Sequence, residues 1–580
     1  MEFDDFYETV GVFGLYQKTK YFLLCFTNML PPVMVYAWTF IAATPSFRCR
    51  ISSDNLYSLN STNNLLTSFI PTPDQCFAYQ KTISLKECQR CFQFVNTNND
   101  DGTIGALNPC RSYIFDQTYY QSTLVEDWSM VCDRLSLKST VQVVFFGGYM
   151  VGSLLFGILA DKYGRRPIMG ASFLLMFIAG IICALAPEEL IGKGTSYPVF
   201  ALGRFLLACA TRGIAVTGFV MGSELGGAKQ RLFSGIVIKY FFAFGELLLL
   251  GLALTIRTWR TLNAVLAVVP VPFIFFYFIL PESPRWLISE QRYDEAELLF
   301  HRIADRNKKN FDPALYKQFV NDDKKRVAAT KGQNNGFKAI FRSKVMAIIA
   351  LNMSYQWFVQ NLVFYGISQN TGAWLQNPYI SFGASAVVEI VAYIVVHLVL
   401  DRWGRKLPYC LFVITLAFVA LLVVPIQMLL PKDSRSQYVL MFMVNIALKF
   451  LASGSYVIIY IYANETFPTH GRNTGMGVCS MISRLGAIIG TFSNDHLTRA
   501  WPHTPIVVYG ATSVVAMLLA TIFPETLNKP LPQTITDVER MGLACSFGRL
   551  KTKRNVYVDD SNQISKDSLS KTNLKEDVDF

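Results

Sequence analysis

The 580-residue sequence carries little charge for its length, because only 16% of its residues are Asp, Glu, Lys or Arg. It contains five histidines, and it has no glycine-rich phosphate-binding loop, no metal-ligand cluster and no nucleophile triad. Nothing in the sequence therefore supports an enzyme, and no cofactor or metal is expected. Hydrophobic residues are abundant and make up 52% of the chain.

The hydrophobic residues are concentrated in runs of about 20 residues, a length that crosses a hydrocarbon core of about 30 Å as a helix. We expect an all-α membrane protein with twelve transmembrane helices in two six-helix halves. Residues 1–20 are acidic and polar and the first run is too long for a signal peptide, so no cleavable signal is expected. The runs lie at about 21–43, 141–160, 168–187, 197–222, 232–256, 260–280, 345–367, 380–400, 408–430, 437–463, 474–493 and 503–523.

Basic residues predict the orientation of the chain in the membrane. The segment 281–344 has 14 Lys and Arg against 9 Asp and Glu, whereas 44–140 has 8 against 9, so the first is expected inside and the second outside. The chain has 53 basic and 41 acidic residues, and this excess of basic residues reflects the topology, so nucleic-acid binding is not expected. The predicted parts are a cytosolic N-terminus at 1–20, an N-terminal half at 21–280 including the 44–140 extracellular loop, a cytosolic linker at 281–344, a C-terminal half at 345–523 and a cytosolic tail at 524–580.

Half of the twelve cysteines fall in the predicted extracellular loop. An even number of cysteines in an oxidising compartment predicts a disulfide framework, whose pairing the sequence leaves open. Zinc binding is the alternative because two of them have ligand spacing, but this loop contains no histidine. Asn60 begins an Asn-Ser-Thr acceptor and is predicted to carry a glycan. The six cysteines are Cys49, Cys76, Cys88, Cys91, Cys110 and Cys132.

Three short patterns occur twice, at offsets of 240 to 243 residues. They are an Asp-x-x-Gly-Arg-basic loop, a Glu followed by an Arg seven residues later, and a Pro-Glu-Ser/Thr sequence. Three unrelated patterns at one offset indicate two copies of one half, and duplicated membrane halves are typical of secondary transporters. The predicted gate residues are Asp161, Gly164, Arg165, Arg166, Glu224, Arg231, Glu282, Arg285, Asp401, Gly404, Arg405, Glu465 and Arg472.

These patterns lie at the inner ends of the predicted helices. Glycine permits the tight turn of each loop, and opposite charges can pair when the inner side is closed and separate when it opens. The alternative is that the arginines only enforce the positive-inside topology. That alternative explains neither the glutamates nor the repetition.

The duplicated loops and the sequence at 281–287 are similar to those of the major facilitator superfamily. Within it, the chain resembles the organic cation, organic anion and carnitine transporter family, through the cysteine-rich loop and the sequences at 130–133, 286–289 and 472–477. The resemblance covers about residues 5 to 535. It implies a carrier that binds an organic ion near the membrane midplane between the halves and works by alternating access.

Five ionisable side chains lie near the centres of predicted spans, where each costs roughly 2.5–3.5 kcal/mol to insert. Three are basic and two are acidic, which leaves one cation for an anionic substrate group or an internal water cavity. Ion pairing with one another is the structural alternative. The five are Arg212, Glu246, Glu389, Lys449 and Arg484.

Glu389 is the predicted binder of a substrate cation, with Tyr393 one turn away on the same helix face. Arg484 occupies a position where the cation carriers of the resembled family place Asp and the carnitine and anion carriers place Arg. A guanidinium can hold a carboxylate in two hydrogen bonds. The alternative for each is that it only neutralises a neighbouring charge, with Glu389 and Arg484 as partners.

The other predicted substrate-binding residues have weaker support. Lys449 has a basic counterpart in most of the resembled family and is also explained by a structural role. Arg212 is a candidate, and Glu246 is its expected partner. Tyr365 represents the aromatic residues that would hold a quaternary ammonium by cation–π attraction.

We therefore expect a secondary transporter that moves an organic cation or zwitterion, such as a carnitine-like or amine compound, across the plasma membrane. Both termini are expected in the cytosol. The expected partners are a small organic ion, the lipid bilayer and a co-transported ion. The alternative substrate is an organic anion, favoured by Arg484 and the positive balance. A channel or a non-transporting receptor is the other class, although a channel needs no duplicated gate.

Overall fold

The computed structural model describes most of the membrane region and parts of the loops. Asn60, Cys76 and the tail after 540 lie outside the described residues, so the predictions made for them stay predictions. The described residues are 3–11, 13–50, 88, 90–94, 107–186, 193–225, 231–330, 343–369, 371, 374–375, 377–429, 435–468, 472–501, 503–527, 532 and 538–540.

The described chain is mainly helical, in agreement with the predicted fold class. The helices up to the linker are α1 (Phe3–Val10), α2 (Leu15–Thr27), α3 (Leu30–Ile41), α4 (Leu124–Asp127), α5 (Leu135–Tyr163), α6 (Arg165–Leu185), α7 (Lys193–Leu225), α8 (Arg231–Thr255), α9 (Trp259–Val268), α10 (Val271–Ile274), α11 (Phe276–Ile279) and α12 (Pro284–Ser289). The later helices are α13 (Tyr293–Arg306), α14 (Pro313–Thr330), α15 (Lys344–Gln369), α16 (Pro378–Trp403), α17 (Lys406–Leu429), α18 (Arg435–Thr466), α19 (Arg472–Ala500) and α20 (Thr504–Ala520).

Ten helices in the described chain are long and apolar enough to cross a membrane, and they match ten of the twelve predicted spans. The other two predicted spans are also helical. Helix α15 is less apolar because it carries buried amides such as Gln356 and Gln360. Helix α20 is shorter, with 17 residues.

Prolines interrupt two of the spans because proline has no backbone N–H to donate along a helix. The first span passes from α2 to α3 just before Pro31 and Pro32. The sixth span is divided around Pro270 into α9, α10 and α11. The sequence predicted one continuous helix in each place, because a run of hydrophobic residues looks the same whether or not a proline divides the helix within it.

Two large groups of buried side chains hold the membrane helices together. One contains Phe145, Phe146 and Trp259 of the first half. The other contains Trp357 and Tyr409 of the second. The first group continues into α15 and α16, so helices from the two predicted halves pack directly against each other.

A third packed group lies at the predicted cytosolic side. Helix α1 packs on α13 and α14 through Phe6, whose ring centroid is 5.1 Å from those of Phe300 and Phe319. Asn307 Nδ2 donates to Gln17 Oε1 at 2.9 Å. The N-terminal segment and the linker helices are therefore packed together.

Among its described residues, the predicted extracellular segment contains four short strands: β1 (Phe47–Cys49), β2 (Phe92–Phe94), β3 (Leu107–Pro109) and β4 (Tyr113–Phe115). Strand β1 pairs antiparallel with β4, and β2 pairs antiparallel with β3. Disulfides join Cys49 to Cys110 and Cys91 to Cys132. Cys88 is also disulfide-bonded, which leaves the described cysteines of this segment oxidised rather than available to a metal.

The bridge between Cys91 and Cys132 closes a loop of 41 residues, and loop-closure entropy predicts a stabilisation of about 3–4 kcal/mol. We expect the double substitution Cys91→Ser with Cys132→Ser to reduce delivery to the cell surface severalfold, with little change in the KM of transport. Surface biotinylation and uptake kinetics measure the two effects.

The control is Cys410→Ser, because Cys410 is a free cysteine outside this segment. Non-reducing peptide mapping should recover both cross-linked peptides from the wild-type protein. Free thiols at these four positions would contradict the framework.

Candidate functional site

A small cavity lies where the two halves meet in the middle of the membrane region. Its volume is about 60 Å³. It receives residues from α3, α5, α7, α8, α15, α16, α18 and α19 and from the turn between α2 and α3, so neither half could form it alone. The residues that line it are Asn28, Pro31, Tyr149, Arg212, Ala215, Phe219, Ile238, Lys239, Phe242, Phe364, Tyr365, Tyr393, Tyr456, Tyr460 and Arg484.

Arg484 of α19 reaches this cavity and is only 2% exposed. Its guanidinium lies 5.0 Å from the centroid of the Tyr149 ring, and Tyr365 is a further neighbour at the cavity. Its Nε and Nη1 have no hydrogen-bond acceptor in the described structure. Buried donors are almost always satisfied in proteins, so two open donors at a cavity indicate room for an acceptor supplied by a ligand.

Arg212 of α7 also lines the cavity, and its contacts join the two halves. Its Nε donates to Ser153 Oγ at 2.8 Å, and its Nη2 donates to Ser480 Oγ at 3.0 Å. Glu246 lies instead close to Glu389, another buried acid. The expected partnership of Arg212 with Glu246 is therefore wrong, because packing of α8 on α16 turns Glu246 toward another acid.

Lys239 of α8 is a third basic residue at the cavity, and it is not among the residues predicted from the sequence. Its Nζ lies 5.4 Å from the Tyr456 ring centroid and 5.1 Å from that of Tyr460. Arg204 was also missed, and it is buried with its guanidinium 4.3 Å from the Phe145 ring centroid. Counting every ionisable residue inside the apolar runs would have found both.

Glu389 and Lys449 form an ion pair behind the cavity wall. The distance from Lys449 Nζ to Glu389 Oε2 is 2.6 Å, and neither side chain is more than 1% exposed. Lys449 also donates to Ser368 Oγ at 2.7 Å, while the hydroxyl of Tyr393 donates to Glu389. Of the predicted residues, Arg484, Arg212, Tyr393 and Tyr365 line the cavity, and Glu389 and Lys449 form a second layer. The partner of Glu389 is thus Lys449 rather than Arg484.

A larger cavity of about 370 Å³ continues from this site toward the gate residues. It shares Arg212, Phe219 and Tyr460 with the central cavity. At its other end it is lined by Arg165 and Glu224. The two cavities are therefore neighbours, and the larger one reaches the ends of the helices that carry the predicted gate residues.

On the opposite side, aromatic contacts between the halves close off the central cavity. The Phe146 and Tyr365 ring centroids are 5.1 Å apart, and those of Phe40 and Phe382 are 5.0 Å apart. Beyond them lies a cavity of about 670 Å³, bordered by Trp38, on the side of the predicted extracellular segment. The aromatic contacts thus separate the central cavity from that side.

The gate loop of the first half is a compact charged cluster. Arg165 lies 3.1 Å from Asp161 and 3.6 Å from Glu224. The Glu282 carboxylate accepts the backbone N–H of Arg165 at 2.9 Å and that of Arg166 at 3.2 Å. Gly164 has a φ of 103°, and a Cβ there would lie 2.5 Å from Glu282 Oε2, so the loop needs glycine for both its backbone and its close approach.

The second half repeats this cluster. Arg405 Nε lies 3.0 Å from Glu465 Oε2, and Glu525 accepts the backbone N–H of Arg405 at 3.0 Å. Burial opposes the charge of Glu525, but four backbone N–H donors outweigh it and lower the pKa of this carboxyl. Gly404 has a φ of 83°, and a Cβ there would lie 2.8 Å from Glu525 Oε2.

The described ion pairs of the gate each lie within one half. Glu224 pairs with Arg165, and Glu465 pairs with Arg405. Arg285 packs its guanidinium 4.7 Å from the Phe3 ring centroid of the N-terminal helix. The side chains of Arg231, Asp401 and Arg472 lie outside the described residues, and the gate role of every predicted gate residue stays a prediction.

Comparison with known proteins agrees with this architecture. The sequence profile of the "Sugar (and other) transporter" family matches residues 82–536. The "Organic cation transporter protein" of Drosophila melanogaster is 33% identical, with 93% of this chain and 95% of that protein covered. "Solute carrier family 22 member 16" of Homo sapiens is 30% identical, with 93% of each chain covered.

The solved structures that resemble this chain have the same fold. The xylose transporter XylE bound to 6-bromo-6-deoxy-D-glucose has a TM-score of 0.59 at 17% identity, with 91% of this chain and 100% of that chain covered. The inward open conformation of XylE from E. coli has a TM-score of 0.58 at 16% identity, with the same coverage. This chain is a multi-pass membrane transporter that belongs to the major facilitator superfamily and, within it, to the organic cation, organic anion and carnitine transporters of solute carrier family 22.

Proposed function

We propose that the protein carries an organic anion across the plasma membrane by alternating access, with both termini in the cytosol. The observation that carries the proposal is the charge of the central cavity. The described residues that line it include three basic side chains, Arg212, Lys239 and Arg484, and no acidic one. The expectation from sequence favoured a cation or zwitterion and kept the anion as the alternative, and the cavity favours that alternative.

The open donors of Arg484 are the proposed anchor of the substrate. A carboxylate or sulfonate could accept from Nε and Nη1, which otherwise have no described acceptor, and charge-assisted hydrogen bonds of this kind are stronger than neutral ones. Lys239 and Arg212 add positive potential from the other half. The rings of Tyr149, Tyr365 and their neighbours would surround an aromatic or apolar body of the substrate.

A zwitterion or a cation is the second candidate. Tyr456 and Tyr460 already hold one ammonium, that of Lys239, against their faces, so the walls suit cation–π contacts. The name of the Drosophila melanogaster relative also refers to organic cations. Against this candidate, the nearest acid in the second layer is Glu389, which is already paired with Lys449.

The closed outer side and the inner cavity support a carrier in its inward-facing state. Transport would require the inner ends of the halves to approach while the aromatic contacts of Phe40 and Phe146 separate. Each gate cluster lies within one half, so each half can move as a unit. A channel or a receptor has no need of two such clusters.

The membrane potential opposes the entry of an anion. Moving one charge through 100 mV changes the free energy by about 2.3 kcal/mol. Uptake of a monovalent anion alone would therefore settle below the external concentration. Concentrative uptake would need exchange for an internal anion or a co-transported ion.

The first prediction tests the proposed anchor. We expect Arg484→Ala to lower the kcat/KM for an aromatic monocarboxylate by roughly 10- to 100-fold, which corresponds to the loss of charged hydrogen bonds. Arg484→Lys should recover part of the rate, since it keeps the charge but loses the planar fork. Uptake by cells, corrected for surface protein, measures both.

The matched control is Lys317→Gln, which removes one exposed positive charge from the linker. Its uptake should equal that of the wild type. If Arg484→Ala keeps carboxylate uptake and instead changes only that of a permanent cation, the anion proposal is wrong.

The second layer gives a further prediction. Removing one partner of a buried ion pair leaves an unpaired charge and costs about 3–5 kcal/mol. We expect Glu389→Gln and Lys449→Met each to lower the thermal stability and surface level of the protein. The double variant should be more stable than either single variant, as measured by thermal unfolding of the purified carrier.

Comparison of the two single variants with the double variant distinguishes a structural role of Glu389 and Lys449 from a role in substrate binding. A structural pair predicts that the double variant keeps the same ratio of anion to zwitterion uptake as the wild type. Normal surface levels of Glu389→Gln, with a selective loss of zwitterion or cation uptake, would instead assign Glu389 to the substrate.

The gate clusters predict non-additive effects on turnover. We expect Arg405→Gln and Glu465→Gln each to lower the maximal uptake rate by about tenfold, because the bonds between these charged groups join the inner ends of α17 and α18. The double variant should be no slower than the slower single variant. Arg402→Gln, which removes an exposed charge from the same loop, serves as the control, and simple addition of the two effects would contradict coupling.

A further inference from the structure

A second basic cavity lies outside the transport path, where the first membrane helix meets the linker. Its volume is about 520 Å³. One side is formed by Tyr16, Thr19 and Lys20, which follow one face of α2 at helical spacing. The other side is formed by residues at the same spacing near the end of α13, namely Arg302, Asp305 and Arg306.

The cavity has a positive balance, with three basic side chains against Asp305. No ion pair joins Arg302 or Arg306 to an acidic residue within the described chain, and both side chains are exposed. Lys20 donates from Nζ to the backbone oxygen of Ile279 at 2.8 Å. Three cations thus converge without a matching number of anions.

The position of the cavity is at the membrane boundary. Lys20 lies near the start of the first span, Leu15–Ile41, and Ile279 is the last residue of the sixth. Basic loops assign this end of the helices to the cytosol, and the inference rests on that proposed orientation. The cavity is therefore at the depth of lipid headgroups of the inner leaflet.

The surroundings of the cavity are apolar on the lipid side. Leu15 is 63% exposed and Phe278 is 73% exposed, both at the ends of membrane spans. Leu298 is 60% exposed on α13, one turn before Arg302 on the same helix face. A linker helix with an exposed leucine beside exposed arginines is suited to contact the membrane surface.

We propose that this cavity binds the headgroup of a phosphorylated inositol lipid of the inner leaflet. Lys20, Arg302 and Arg306 would hold its phosphates, since clusters of basic residues at the cytosolic side recognise such headgroups. Asp305 would accept hydrogen bonds from the hydroxyls of the inositol ring, which explains one acid among the three bases. Phosphatidylserine carries one phosphate and no ring hydroxyls, so it would satisfy fewer of these side chains.

The bound lipid would reinforce an existing contact. Asn307 follows Arg306, and its Oδ1 accepts the backbone N–H of Tyr16 at 3.1 Å. The same two segments form the walls of the cavity. A headgroup that bridges them would therefore fasten the linker to the first membrane helix.

The test uses the full-length purified carrier and a fluorescent short-chain phosphatidylinositol bisphosphate, with binding followed by anisotropy. The variant Lys20→Gln with Arg302→Gln and Arg306→Gln should raise the Kd on the order of 100-fold, from about three contributions of basic residues near a headgroup. The exposed pair alone, Arg302→Gln with Arg306→Gln, should raise it at least about tenfold. The variant with only Arg302 and Arg306 changed keeps the hydrogen bond of Lys20 to Ile279, so weaker binding by that variant is not explained by a fold disturbed at Lys20.

The matched control removes three exposed basic residues from the same segments, with Lys18→Gln, Lys308→Gln and Lys309→Gln. Its Kd should remain within about threefold of wild type, since exposed charges away from the site contribute weakly. Equal weakening by the two triple variants would overturn the site in favour of a general surface charge.

Competitors distinguish the sources of phosphate. Unlabelled short-chain phosphatidylinositol bisphosphate should displace the probe at much lower concentration than phosphatidylserine, inositol trisphosphate or inorganic phosphate. Displacement by inositol trisphosphate as effective as by the lipid would overturn the membrane source. Displacement by phosphatidylserine as effective as by the inositol lipid would overturn the role of Asp305.

Discussion

The ion pair between Glu389 and Lys449 determines which charges remain available at the centre of the carrier. Both side chains are almost completely buried, and their charged atoms are 2.6 Å apart. An unpaired charge in this environment is costly, so the two residues compensate each other before any substrate arrives. Glu246 lies beside Glu389 and is equally hidden. The acids are thus confined to a second layer, while the basic residues Arg212, Lys239 and Arg484 face the cavity.

The two gate clusters are built from the same set of contacts. In each half, a glycine with positive φ allows the loop to turn, and a glutamate from the segment after the sixth or twelfth span accepts the backbone N–H groups that follow the glycine. An arginine of the loop then binds the glutamate that ends a neighbouring helix. These contacts fix the ends of helices within a half, and in the proposed alternating-access mechanism they leave the interface between halves free to open.

The interface between the halves is held by different kinds of contact on its predicted outer side and near its centre. On the outer side it is closed by aromatic rings, such as Phe40 against Phe382. Near the centre it is crossed by hydrogen bonds from a guanidinium to a hydroxyl group, such as Arg212 to Ser480. Contacts of these kinds can form and break without separating an ion pair, which suits the surfaces that separate in the proposed alternating-access mechanism.

The sequence by itself determined the class of the protein, the duplicated halves and the basic inner loops, because hydrophobic run length, repeats and charge bias are properties of the chain in order. It also located Arg484, Arg212, Tyr365 and Tyr393, since an ionisable residue in an apolar run, or an aromatic one turn from it, can be recognised locally. Lys239 was overlooked in a long apolar helix although the same rule applied to it.

Only the tertiary structure decided which charges neutralise each other. The partner of Glu389 is 60 positions away in Lys449, and the partner of Glu465 is 60 positions away in Arg405. Such choices depend on how α16 packs against α18 and how the loop before α17 folds back, and no spacing along the chain encodes them. For the same reason the sign of the cavity, and with it the proposed substrate, became apparent only when the helices were assembled.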